Sequence, residues 1–305
     1  MKHILPILFI LFSFSAIFAK SPYIAVLGIA QDAGVPQIGC ASPFCDKAWK
    51  NKKLQQTVSS IALVNPKTNE RWVFDATPDF PEQFQLLKEI SGNNFNTLTG
   101  IFLTHAHIGH YTGLMYLGRE SMNSKEVPVY AMPRMKQMLE TNAPWSQLVS
   151  LKNIALQPLA NKQTIELYKN LSVEPFLVPH RDEFSETVGF KITSEKKSLV
   201  FIPDIDKWQR WSEKLEDVVK SSDYVLLDGT FYADGEISRP MSEVPHPFVS
   251  ETMELLKDLP ASEKKKVFFI HFNHTNPLVQ GDEKKIKEVK SRGFNIAFQG
   301  QKIEL

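Results

Sequence analysis

Short apolar runs recur along the chain, separated by stretches in which apolar residues return every three or four positions. The runs Tyr23–Ala30, Val58–Val64 and Arg71–Phe74 are rich in Val, Ile and Leu, are broken by Gly or Pro, and predict strands. The spacing over Pro81–Ile90 predicts a helix, with Asp79 as its cap and Glu82 three residues on. Gly113–Ser121, Met132–Glu140, Lys207–Lys220 and Val249–Leu259 have helical composition, and Thr164–Ile192 reads as paired strands. Strands and helices mixed along the whole chain indicate a layered α/β domain.

Six of the apolar runs end on a His or an Asp. WVF leads to Asp75, IFLT to His105, FLVP to His180, LVFIP to Asp204, YVLL to Asp228 and VFFI to His271. A buried strand delivers its last residue to the rim of a sheet, where loops assemble sites. Three of the chain's eight His occupy these ends, which predicts a site built on one rim. Asp75 and Asp228 are followed by turn-like sequence and are expected only to shape loops. The densest local signal is THAHIGHYTGL, residues 104–114, where His105 and His107 leave a strand end and His110 opens a helix. Neutral imidazole is the commonest nitrogen ligand of zinc, and three His with a water make a catalytic zinc arrangement.

Composition narrows the functional class. The chain has 305 residues, 43% hydrophobic and 23% charged, with a formal net charge of +1, so an ordinary globular core is available and a polyanionic partner is not indicated. The clusters Lys264-Lys265-Lys266 and Lys284-Lys285 are short and read as solvated surface, and no nucleic-acid partner is expected. At the start, Lys2 precedes an uncharged run from Ile4 to Phe18 and small Ala19, the layout of a secretory signal peptide. Residues 1–19 are therefore expected to be removed, leaving a periplasmic or secreted domain of residues 20–305 with no membrane association. Removal takes one cation and no carboxylate, so 34 basic residues face 34 acidic ones. The two cysteines, Cys40 and Cys45 in CASPFC, could be a disulfide or free thiols in an oxidising compartment.

The histidine pattern resembles that of the metallo-β-lactamase superfamily, whose signature is HxHxDH, then a lone His, a bridging Asp and a final His. Here those positions are His105, His107 and His110, then His180, Asp204 and His271. The stretches GIAQDAGVPQIGCASPFC, QTVSSIAL, WVFDATPDF, HIGHYTGLMYLGRE, HRDEFSETVGF, LLDGTFYADGEI, HPFVS and HFNHTNPLV resemble, in order, the PqqB group named for pyrroloquinoline quinone biosynthesis. The start and the cysteine loop also resemble, more weakly, the phosphonate-pathway cyclic phosphodiesterases of the superfamily. The chain departs from the PqqB pattern in keeping His105, His107 and Asp204, and in having two rather than three cysteines in its loop. It departs from the wider superfamily in having Gly109 where the motif has Asp.

The resemblance implies a four-layer αββα sandwich. It also implies a metal, zinc by analogy, held by His105, His107 and His180, with Asp204 bridging toward a second position completed by His110 and His271. With Gly109 supplying no carboxylate, one tight metal is expected and a second that is weak or absent, and Asp204 is left as the catalytic general base. His246, His274 and Arg181 are candidate contacts for a small-molecule substrate. The expected activity is an exported metal-dependent hydrolase acting on an ester, phosphoester or lactone bond. The alternatives are a PqqB-like oxygen-dependent enzyme using Fe2+, since three His and a carboxylate also suit a redox metal, and a metal-stabilised binding protein without turnover.

Overall fold

The structure, a computed structural model, describes residues 21–92, 95–238 and 240–305. The proposed signal segment, residues 1–19, lies outside the described residues.

The strands are β1 (Tyr23–Gly28), β2 (Ser60–Asn65), β3 (Glu70–Phe74), β4 (Gly100–Phe102), β5 (Val127–Ala131), β6 (Ile154–Pro158) and β7 (Ile165–Tyr168). They continue as β8 (Leu171–Leu177), β9 (Val188–Thr193), β10 (Ser198–Ile202), β11 (Tyr224–Asp228), β12 (Val267–Ile270), β13 (Asn295–Ile296) and β14 (Lys302–Glu304). They form two seven-stranded mixed sheets, ordered β14-β1-β2-β3-β4-β5-β6 and β13-β12-β11-β10-β9-β8-β7. In the first, β3 to β6 run parallel. In the second, β10 to β13 run parallel, and β7 to β10 pair antiparallel in turn.

The strands read as unbroken apolar runs because both faces of each sheet are covered. Ile24 and Val26 of β1, Ile61 and Leu63 of β2, and Trp72 and Phe74 of β3 face the second sheet. Their neighbours Ala25, Leu27, Ala62, Val64 and Val73 face outward, against Phe80 and Leu87 of the helix Phe80–Ser91 and Met135 and Leu139 of the helix Pro133–Thr141. The two-residue period of a strand thus feeds two cores at once. On the far side, Leu215 and Val219, Val249 and Met253, and Val289 come from helices that cover the second sheet. The result is an αββα sandwich. At its centre Phe102 stacks between Phe74 (5.0 Å) and Tyr130 (4.3 Å), with Phe190 edge-on from the facing sheet.

Three expected elements differ. Lys207–Lys220 is a 3-10 turn over Trp208–Arg210 followed by a helix over Leu215–Lys220, because both indole N–H groups are engaged elsewhere: Trp208 donates to Thr252 Oγ1 (2.8 Å) and Trp211 to the Leu177 carbonyl (3.1 Å). Gly113–Ser121 is a 3-10 segment over Thr112–Leu117, where the Gly113 backbone packs onto Thr77 and Ala76 too closely for a side chain. Asp79 occupies the cap position of the helix Phe80–Ser91 without capping it, since its carboxylate accepts the Val58 N–H (2.8 Å). Cys40 and Cys45 are joined as a disulfide, their Cα atoms 6.0 Å apart.

Candidate metal centre

Parallel strands present their carboxyl ends on one rim, and all six strand-end residues meet there. Asp75 follows β3, His105 lies three residues beyond β4, and His180 three beyond β8. Asp204 lies two beyond β10, Asp228 closes β11 and His271 follows β12. Asp75 (φ 69°) and His271 (φ 67°) adopt left-handed backbone.

His105 Nε2, His107 Nδ1, His180 Nε2 and Asp204 Oδ2 converge on one point. His105 Nε2 lies 2.8 Å from His107 Nδ1, which lies 3.3 Å from His180 Nε2. Asp204 Oδ2 is 3.3 Å from His105 Nε2, 3.2 Å from His180 Nε2 and 3.9 Å from His107 Nδ1. A tetrahedron with metal–ligand bonds of about 2.0–2.1 Å has edges of roughly 3.3 Å. The distances from 2.8 to 3.9 Å scatter about that edge, so the four donors suit a divalent ion.

The outward nitrogens fix the inward ones. Thr104 Oγ1 donates its proton to Asp75 Oδ2 (2.9 Å), so its oxygen accepts from His105 Nδ1 (2.9 Å). His180 Nδ1 faces Asp206 Oδ1 (3.2 Å), itself braced by Arg210 (2.8 Å), and His107 Nε2 faces Glu183 (3.3 Å). Each imidazole then presents a lone pair to the centre. Lone pairs and a carboxylate at this range must share either a metal or protons. Where protons take the place, burial would lower the His180 pKa but Asp204 and Asp206 raise it to about 9. Burial would raise Asp204, yet His180 and His246 hold it well below the carboxylate range.

A second group lies beside the first. Asp32 Oδ1, His110 Nε2, His271 Nε2 and Asp204 could ligate a metal together, and His110 Nδ1 is bound to Asp75 Oδ2 at 2.7 Å. Asp75 and Asp228, expected only to shape loops, instead orient histidines. Asp228 Oδ1 accepts from Thr230 Oγ1 (2.6 Å), which faces His271 Nδ1 (2.9 Å), and Asp228 Oδ2 lies 2.8 Å from His246 Nδ1. His246 also comes within 3.1 Å of Asp204 Oδ1, and against the effect of burial Asp228 and Asp204 raise its pKa to about 10. Asp32 was not among the expected ligands. It follows an antiparallel strand and has no ligand-like spacing, and its one sequence signal is Gly109, the vacancy that it faces. The Asp32 side chain thus fills the space beside Gly109.

An open cavity of about 530 Å³ leads to this rim, within the range of small-molecule sites. Arg181, His246 and His274 all line it, with Gln31, Asp32 and Asn273. Burial lowers the His274 pKa.

Residues 70–272 match the beta-lactamase superfamily domain. Coenzyme PQQ synthesis protein B of Methylorubrum extorquens (strain PA1) is 27% identical over 311 residues, covering 93% of this chain and all of that protein. The protein of the same name from Acinetobacter baumannii (strain SDF) is 28% identical over 312 residues, with the same coverage. The zinc-bound PqqB from Methylobacterium extorquens superposes with a TM-score of 0.77 at 25% identity, over 93% of this chain and all of that one. A diphosphatase from the PhnP family shares the fold (TM-score 0.64, 20% identity, 93% and 97% coverage).

Proposed function

The chain belongs to the metallo-β-lactamase superfamily and resembles PqqB along its length, and from that premise we propose that it is a metal-dependent enzyme acting on a small molecule in the cavity beside His246. The observation that carries this is the convergence of His105, His107, His180 and Asp204 at tetrahedral edge distances. A divalent ion bound there would supply Lewis acidity toward a substrate or water. The protein's own residues hold the donors in one tautomer, exclude bulk water from the buried His105 and Asp204, and place Arg181 and His246 on the cavity wall, where an anionic group would meet them.

Two chemistries are compatible with this donor set. Full-length likeness to PqqB supports a PqqB-like enzyme of quinone cofactor biosynthesis, in this reading oxygen-dependent and iron-using although the matched PqqB structure holds zinc, more than it supports hydrolysis. The second reading, an exported zinc hydrolase of an ester, phosphoester or lactone, is favoured by one feature: the ligands that this chain keeps at His105, His107 and Asp204. Its carboxylate for general-base work is Asp204. A binding protein without turnover would hold the metal and transform nothing. Export, with removal of residues 1–19, is part of the proposal and is supported by the charge-then-apolar layout of the amino terminus.

Metal identity in the purified protein, with oxygen uptake and turnover of generic ester and phosphodiester substrates, separates the readings. Iron with oxygen consumption supports the first, and zinc with bond hydrolysis supports the second. A protein that binds no divalent metal would sink both.

A further inference from the structure

We propose that Asp32 supplies the carboxylate that Gly109 lacks, completing a second divalent-metal position with His110, His271 and Asp204. This rests on the reading of the chain as a metal-dependent enzyme and adds a ligand from a part of the chain outside the superfamily's histidine motif.

Asp32 occupies the space beside residue 109. A Cβ on Gly109 would stand 2.4 Å from Asp32 Oδ1, 2.6 Å from Asp32 Cα and 2.9 Å from Asp32 Cβ. Glycine is required at 109 because Asp32 fills the volume that a motif carboxylate would use. Backbone pairing holds the Asp32 segment in place. The Phe272 N–H donates to the Ile29 carbonyl (2.7 Å) and the Gln31 N–H to the Phe272 carbonyl (2.8 Å), so the segment leading to Asp32 is tied to the residue after His271. Asn273 donates to the Gln31 side chain and fastens it again.

Polar atoms around this volume are unmet. His110 Nε2 and His271 Nε2, on fully buried rings, and Asp32 Oδ1 have no hydrogen-bond partner among the described residues. They face one another: His110 Nε2 is 3.2 Å and His271 Nε2 is 3.7 Å from Asp32 Oδ1, and His110 Nε2 is 3.8 Å from Asp204 Oδ2. An ion pair of His110 with Asp32 accounts for only part of this. Neither His110 Nε2 nor Asp32 Oδ1 forms a hydrogen bond at 3.2 Å, and the 3.7 Å contact of His271 is too long for one. The opposite nitrogens are already committed, His110 Nδ1 to Asp75 and His271 Nδ1 to Thr230 Oγ1, whose own proton goes to Asp228. Two imidazole lone pairs and two carboxylates are left around one volume, and a divalent cation satisfies all four. Mixed imidazole and carboxylate donors suit zinc, iron or manganese.

The test is titration of the metal-free mature protein with zinc against a competing chromophoric chelator, with elemental analysis after desalting. The unsubstituted protein is expected to take up two equivalents. Asp32→Asn keeps the side-chain shape and removes the charge. Gly109→Ala removes no donor and displaces Asp32. Each variant is expected to retain the first equivalent with its affinity changed by no more than a few-fold, and to lose the second by at least about tenfold. Two equivalents retained in Asp32→Asn, or a single equivalent in the unsubstituted protein, would overturn the assignment and leave the first metal position standing. No equivalents in the unsubstituted protein would overturn the metal-enzyme reading itself.

Discussion

Asp75→Asn should weaken metal binding at both positions although Asp75 touches neither. The carboxylate is fully buried and accepts three hydrogen bonds: from the Thr104 N–H (2.8 Å), the Thr104 hydroxyl (2.9 Å) and His110 Nδ1 (2.7 Å). By taking the hydroxyl proton it leaves the Thr104 oxygen free to accept from His105 Nδ1. One carboxylate therefore sets the tautomers of His105 and His110, and both rings turn a lone pair inward. Asparagine tolerates the left-handed backbone at this position (φ 69°), so the fold is spared. Its amide oxygen can keep the Thr104 N–H, but its NH2 then opposes His110 Nδ1 and the Thr104 oxygen. The Thr104 proton rotates toward His105 Nδ1, and both histidines are driven to present an N–H where a metal should be. Loss of an orienting partner of this kind typically costs 10–100-fold in metal affinity, which is about 1.4–2.7 kcal/mol. Exchanging charge-assisted for neutral or mismatched hydrogen bonds should cost the metal-free fold on the order of 2–4 kcal/mol. Chelator-competition titration measures the first quantity and urea unfolding the second. A cooperatively folding Asp75→Asn protein with unchanged affinity at His105, His107 and His180 would refute the tautomer argument.

His105→Ala and His107→Ala should each lose most of the bound metal, whereas His274→Ala, peripheral on the cavity wall, should lose little. Elemental analysis reads this directly, and metal retained in either of the first two would move the site. Metal-free protein should lose stability as pH rises from about 6.5, the unfolded value of His, through the folded values of about 9 for His180 and about 10 for His246. Folding raises both pKa values, so the folded state binds the extra protons and its advantage fades once they leave. Urea unfolding at pH 6.5 and at pH 10 should show that decline in metal-free protein and a smaller one in metal-loaded protein, where a metal replaces the His180 proton. Equal pH dependence of the two forms would contradict it. Protein recovered from the cell envelope should have an intact mass beginning at Lys20 or within a residue or two, and full-length protein retained in the cytoplasm would exclude export.

The rim of the site was legible because strand-terminal His and Asp interrupt apolar runs, and that interruption is a local pattern. Asp75 and Asp228 belong to the same pattern, but whether a strand-end Asp shapes a turn or holds a histidine depends on what the facing loop brings: Thr104 and His110 for one, Thr230 and His246 for the other. Asp32 was not legible from its own surroundings. It reaches the site because β1 pairs beyond its end with the segment after His271, a contact between residues some 240 positions apart in sequence. The vacancy at Gly109 could be read and its occupant could not. Helix starts failed for the same reason at Lys207–Lys220, where the two tryptophan indoles find partners in the packed interior and prevail over helical composition.

A metal held among His105, His107, His180 and Asp204 would scatter X-rays anomalously. Data from crystals of the protein, collected on both sides of the absorption edge of the metal found by elemental analysis, locate that ion. A peak is expected within bonding reach of His105 Nε2, His107 Nδ1, His180 Nε2 and Asp204 Oδ2. A metal-free centre in protein crystallised with added zinc or iron, or a peak confined to the cavity wall near His274, would contradict it.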